Sequence, residues 1–385
     1  MTAVLEARAA AVLEGDQRAF AAGIDPQSPA FGAKQTAVFV NLKPMPLASW
    51  SYAVDVPEDE ITAEMRARYH ADEIYAPVAR LRYQFTDFDT HPTELRQLLT
   101  FVRRGTKWYL ASDSDFDTPR RATARELWDF GPLAVVRTAR SLVIGPVGRR
   151  AYLQSIARDT DAAVPKVSAI WGSEWSQRVV VLIPTSQEQV SDLIGAGMEL
   201  SQIAAVAVSR VTGSGGAYRA VGSRVIVNPP NFDQLTPIGQ RVVLVHEVTH
   251  VATRDATGPD VPAWLVEGFA DYVGYRGTAI AVEVAARELA VDVRDDPDGL
   301  ELPSEVDFHG DNPRLAQAYE GAWMAARMIA ERHGEKRLVA LYRAIGTTKG
   351  VGKDDAVRES LKKVLRTTPE RFAADWRSYV VAAFG

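Results

Sequence analysis

Hydrophobic positions change their period several times along the 385 residues. Apolar residues recur at helical spacing over 3–22, interrupted at Gly15 and Asp16, and again over PAFGAKQTAVFVNLKPM (29–45), which its prolines end. The pattern then changes. SWSYAVDV (49–56), PVARLRYQF (77–85), LRQLLTFVRR (95–104) and TKWYLASD (106–113) alternate or are rich in β-branched and aromatic residues. They predict strands, with Arg104-Gly105 as a hairpin turn. The polar, proline-containing stretch SDSDFDTPRRATARELWD (112–129) predicts a connection between domains. Beyond it, RSLVIG (140–145), RVVVLIP (178–184), IAAVAVSRV (203–211) and SRVIVNP (223–229) predict further strands, separated by helices over 147–170 and 186–199. After about residue 236 every pattern is helical, at 280–295, 314–333, 335–345 and 354–365.

Helices, a meander of strands, strands mixed with helices and then helices alone define an α+β chain. Its length calls for two domains. The boundaries fall at 1–115, a linker at 116–127, and 128–385, the last with a sheet subdomain to about 235 and a helical lobe after about 236. Composition narrows the partners. An apolar fraction of 46% with 24% charged residues is that of a soluble globular protein. A net charge of -5, with no basic run longer than a pair, gives no footprint for nucleic acid. There is no run of 18 apolar residues, and the opening MTAVLEARAAAVLEGD carries acids where an export signal has a basic head. Cysteine is absent, so a metal can be held only by His, Asp or Glu.

That restriction gives weight to one stretch, LTPIGQRVVLVHEVTHVATRDA, in which Thr236 is an N-cap and Pro237 opens a helix. HEVTH then lies mid-helix, with His246 and His250 on one face, four residues apart, as two imidazoles sharing a zinc ion must be. Glu247 lies about 100° around the helix from His246, near enough to take a proton from an activated water without binding the metal itself. A catalytic zinc needs a third protein ligand. VPAWLVEGFADYVGY offers Glu267 and Asp271 on one face of a second helix, one to bind the metal and the other to accept from a ligand imidazole. Thr253 and Ala256 stand where a metzincin requires Gly and His, which excludes that class.

HEVTHVAT followed by WLVEGFADYVGY resembles the gluzincin clan of zinc metallopeptidases, thermolysin-like and aminopeptidase-like, over roughly 125–385. The resemblance implies a zincin domain with a mixed sheet, an active-site helix and a helical C-terminal lobe. It implies His246, His250 and Glu267 as ligands of one zinc ion, Glu247 as general base and Asp271 as the partner of a zinc-bound histidine. It also implies a lobe tyrosine that stabilises the oxyanion, for which Tyr319 in LAQAYEGAWMAARMIAERHG is the candidate. Peptide or protein substrates and an extracytoplasmic or membrane-tethered location are further implications. Residues 1–115 resemble an NTF2-like domain, helices followed by a curved sheet, acting as an accessory module.

Other features point to packing or to solvent. His309 in DFHGD is a loop histidine that could contact substrate or replace a ligand; His70, His91 and His333 are surface residues. VTGSGGAY (211–218) fails the dinucleotide fingerprint at Tyr218, and AGMEL (196–200) lacks the asparagine of the exopeptidase segment it faintly matches. Trp50, Tyr52, Tyr69, Tyr83 and Phe85 are sheet-packing aromatics. The functional expectation is a zinc metallopeptidase whose substrate lies along an edge strand, either 203–211 or its neighbour at 217–227. The alternatives are a low-turnover zinc-containing binding or sensor protein, and a zinc hydrolase for a non-peptide bond.

Overall fold

The structure, a computed structural model, describes residues 1–57, 60–195, 199–212, 219–348 and 350–384. Most of VTGSGGAY and the first three residues of AGMEL lie outside the described residues. Both helix and sheet are present, as the α+β class requires. Contacts gather the chain into two compact units. One is Met1–Ala157 with Val180–Met198 and Val208–Pro230, and the other is Arg158–Val179 with Glu199–Ala207 and Asn231–Gly385.

The first unit opens with α1 (Thr2–Glu14), α2 (Gln17–Ala22) and α3 (Pro29–Leu42). Strands β1 (Leu47–Pro57), β2 (Glu73–Tyr75), β3 (Pro77–Phe85), β4 (Thr93–Leu98), β5 (Thr100–Arg104) and β6 (Lys107–Ser112) follow, with α4 (Ala63–Tyr69) between β1 and β2. They form two antiparallel sheets, in orders β1-β3-β4 and β2-β5-β6. The single strand expected at 95–104 is therefore two strands in different sheets. Its side chains explain why, since all five residues from Leu98 to Val102 are at most 3% exposed, and a straight strand with one solvated face cannot bury consecutive positions. A corner at Leu99 can. The register Arg104↔Lys107 leaves Gly105 and Thr106 as the hairpin turn, and Gly105 takes φ 60°, the left-handed region that suits glycine.

The segment expected as a linker is tied down. Asp113 binds Lys34 at 2.9 Å and Arg125 at 2.7 Å, and Asp117 accepts from the Thr123 amide at 2.7 Å. Trp128 packs 5.6 Å from Trp50 and 5.1 Å from Tyr83, ring to ring, and its carbonyl accepts from Asn41 at 2.8 Å. Next come β7 (Leu133–Arg137), β8 (Ser141–Pro146), α5 (Arg150–Trp171), β9 (Val179–Leu182), α6 (Gln187–Ile194), β10 (Ala205–Thr212) and β11 (Arg219–Val227). The five strands make a mixed sheet in the order β10-β11-β9-β8-β7, with β11 parallel to β9 and β7 antiparallel to β8. Of the two strands considered for a peptide, IAAVAVSRV supplies the sheet edge as β10, and its neighbour β11 is interior. Arg224 on β11, 4% exposed, forks onto Asp89 at 2.7 and 2.9 Å, and Tyr83 donates to buried Glu126 at 3.0 Å.

After α7 (Pro229–Phe232), where the first unit gives way to the second, the chain is mainly helical: α8 (Pro237–Thr253), α9 (Ala263–Tyr275), α10 (Val282–Ala285), α11 (Arg287–Asp295), α12 (Leu315–His333), α13 (Glu335–Thr347), α14 (Lys353–Ser360) and α15 (Pro369–Phe384). α9 packs against both α8 and α12. Among the described residues no helix is long and apolar enough to cross a membrane.

Candidate metal centre

α8 begins where the sequence places it, with the Thr236 hydroxyl accepting from the Gly239 amide at 3.2 Å and Pro237 in the first turn. Its valines lower helix propensity, but burial outweighs that deficit: Leu244 and Val248 are fully buried, and Val242 and Val245 nearly so. The remaining face carries His246 and His250, with ring centroids 4.6 Å apart.

α9 reaches this face because of its glycines. A Cβ on Gly268 would stand 2.1 Å from the Ala322 carbonyl oxygen of α12, and one on Gly274 would stand 3.1 Å from the Val242 oxygen of α8. Side chains at these positions would force the helices apart. Their absence brings Glu267, beside Gly268, and Asp271, one turn on, to the histidine pair.

The four side chains converge. His246 Nδ1 donates to Asp271 Oδ1 at 2.7 Å, which turns Nε2 towards the centre, where it lies 2.9 Å from His250 Nε2. Glu267 Oε2 stands 3.3 Å from both Nε2 atoms. Ligand atoms around a tetrahedral zinc with bonds near 2.0–2.1 Å are roughly 3.3 Å apart. The Glu267 distances match that spacing and the histidine pair is slightly tighter. His246, His250 and Glu267 can hold a metal ion: each offers one ligand atom, and all three atoms lie within 4.8 Å of one another. Two imidazoles and one carboxylate are donors that suit zinc.

Electrostatics agree with that fit. Burial opposes charge on His246, but the Asp271 and Glu267 carboxylates outweigh it and raise its pKa well above the ordinary histidine value. Burial likewise opposes ionisation of Glu267, and the two imidazoles outweigh it and hold the carboxyl well below the usual carboxylate range. The centre attracts positive charge, and a divalent cation responds to the same field more strongly than a proton.

Glu247 is 6% exposed, and burial pushes its carboxyl pKa up against the pull of the two histidines. The nearby Ala207 amide of β10 weakly opposes that shift and favours the ionised form. The sequence carries no mark of this proximity: 203–211 is legible as a strand, but nothing local places one of its amides near a glutamate forty residues later. Tyr319 on α12 lies with its ring centroid 6.4 Å from that of His246 and 5.5 Å from that of Phe308. The Glu267 charge and then burial raise its phenol pKa well above the usual value. His309 is exposed and does not join the cluster. The structure thus brings together His246, His250, Glu267, Asp271, Glu247 and Tyr319, and leaves His309 aside.

No protein-family model matches the chain, and no curated protein matches it. Among solved structures, a crystal structure of a mutant two-domain M1 zinc metallopeptidase bound to L-arginine is similar at 12% identity and a TM-score of 0.36. That alignment covers 86% of this chain and 69% of the other, and at this level of likeness it assigns neither site nor activity.

Proposed function

We propose that this protein is a zinc-dependent metallopeptidase of gluzincin type, with residues 1–115 as an NTF2-like accessory domain and an extracytoplasmic place of work. The observation that carries the reading is the convergence of His246, His250 and Glu267 beside a buried carboxylate, Glu247. Zinc bound by these three residues supplies Lewis-acid polarisation of a carbonyl and lowers the pKa of water.

The other steps belong to the chain. Glu247, raised in basicity by burial, takes a proton from water and delivers it to the leaving amine. Asp271 fixes the tautomer of His246 through the 2.7 Å bond to Nδ1. Tyr319 donates to the developing oxyanion, a role supported by its position over His246 and by a phenol that stays protonated. The substrate main chain pairs with β10 near Ala207, where the sheet has its edge, and this sequence-tolerant grip is why a peptide is preferred to a small ester.

The test is metal analysis of purified protein joined to digestion of a peptide library. Stoichiometric zinc and cleavage are expected. Glu247→Gln is expected to retain the metal and lose about 10²–10⁴-fold in kcat, and Glu267→Ala is expected to lose the metal. Unchanged cleavage by Glu247→Gln would reassign the base. A zinc-loaded protein that cleaves no peptide would leave a binding protein or a hydrolase of other bonds.

A further inference from the structure

The first unit holds a second convergence of buried polar groups, independent of the metal centre. Arg8 of α1 is 7% exposed, with its guanidinium carbon 3.5 Å from the centroid of the Phe20 ring. Nη2 donates to Gln35 Oε1, while Nη1, fully buried, donates to nothing. Burial lowers the Arg8 pKa against the opposing pull of the Tyr52 hydroxyl, which lines the same space, and of Asp113 and Asp129.

Asp129 lines the same cavity. Its Oδ2 accepts from the Glu126 amide at 2.9 Å, and burial pushes its carboxyl up to about 6. Asp113, the other acid in the wall, is fully engaged by Lys34, Gln35 and Arg125. Arg8 and Asp129 make no ion pair with each other, so a donor and an acceptor are left facing a common space. The inner cavity measures about 30 Å³, within a concavity of about 440 Å³ that includes its open mouth and has Trp50 and Trp128 in its walls. The inner space takes two or three non-hydrogen atoms.

Chemistry selects the occupant. An anion would satisfy Arg8 but meet the charges of Asp113 and Asp129, and a cation would satisfy Asp129 but meet Arg8. A planar neutral group with an acceptor and a donor side by side satisfies both. We propose that this cavity binds the terminal carboxamide of a small molecule, its carbonyl oxygen accepting from Arg8 Nη1 and its nitrogen donating to Asp129. The substituent of that molecule lies in the wider mouth.

Acetamide and acetate serve as probes of the full-length protein, followed by thermal unfolding. Acetamide is expected to raise Tm saturably by about 2 °C at concentrations near 100 mM, and acetate to leave it unchanged. Asp129→Asn is expected to reverse the preference, because the new amide can keep accepting from Glu126 through oxygen while turning N–H to the cavity, which leaves two donors for a carboxylate. Arg8→Met should abolish both responses; should that variant not fold, the reversal in Asp129→Asn decides. A wild-type protein stabilised by acetate would overturn the carboxamide assignment in favour of an anion. Absence of any saturable response to acetamide would overturn the site.

Discussion

Around Arg224 the buried charges are matched within the chain, whereas around His246 they are matched only in part. Arg224 forks onto Asp89 and stands near Glu126, so cation and carboxylates compensate one another. At the metal centre two imidazole nitrogens and a carboxylate oxygen face one another at 2.9–3.3 Å, with a second carboxylate behind them and a third, Glu247, alongside. Donors so concentrated are costly to bury unless they share a positive charge, and a proton on His246 or a metal ion among the three ligand atoms can each supply it. On the proposed reading, the contrast separates charges that build structure from charges that serve a metal ion.

The largest expected effect comes from breaking the self-matched site. Arg224→Met leaves Asp89, whose side chain is 3% exposed, as an uncompensated buried anion, and should destabilise the fold by about 3–5 kcal/mol in urea unfolding. Metal content should not change. Adding Asp89→Leu to that variant should restore part of the loss, because it removes one of the two carboxylates that Arg224 compensates, while buried Glu126 still lacks its cation. Failure of the double variant to recover would mean that the fork orders the strand rather than merely balancing charge.

Asp129 gives a smaller and pH-dependent effect. Its pKa is raised from 3.8 to about 6 by burial, so the folded state holds the proton more tightly than the unfolded chain. The contribution is fully present below the unfolded value and is lost as pH rises through the folded one. Relative to Asp129→Asn, the wild type should lose up to about 3 kcal/mol between pH 4 and pH 7, measured by denaturant unfolding at the two pH values. A flat difference would show that cations nearby already compensate this carboxylate, and would move Asp129 to the Arg224 side of the comparison.

The two sites also differ in how far the sequence discloses them. HEVTH and EGFAD are legible because helical periodicity converts spacing directly into a shared face, and both lie on long helices with clear starts. The close approach of α9 to α12 leaves only Gly268 as a trace in the sequence, ambiguous until Ala322 is seen opposite. Arg224 pairs with Asp89 across 135 positions, and in the string SRVIVNP it looks like a solvent-facing strand residue. The corner at Leu99 leaves no mark in the sequence, because consecutive buried residues mimic a fully buried strand. β2, with three residues, is too short to show any period. Local pattern reveals what neighbours in sequence do together; partners separated by a hundred residues leave no local mark.

The finest test of the comparison is Asp271→Asn. Asp271 meets the ligand histidines through His246 Nδ1, at 2.7 Å, so the substitution keeps shape and a hydrogen-bond acceptor while removing a charge. If the centre holds a metal ion, that carboxylate raises the basicity of the imidazole and orients it, and its loss should weaken zinc binding about 10–100-fold. Competition with a chromogenic chelator would measure the change, with the fold monitored by circular dichroism. Unchanged affinity would mean that helix packing alone orients His246, leaving Asp271 with a structural duty like that of Asp89. A loss within the expected range would instead place Asp271 with the ligands, and the difference between the two carboxylates would then follow from the partner each one faces: a guanidinium already charged, or an imidazole whose other nitrogen is turned to the centre.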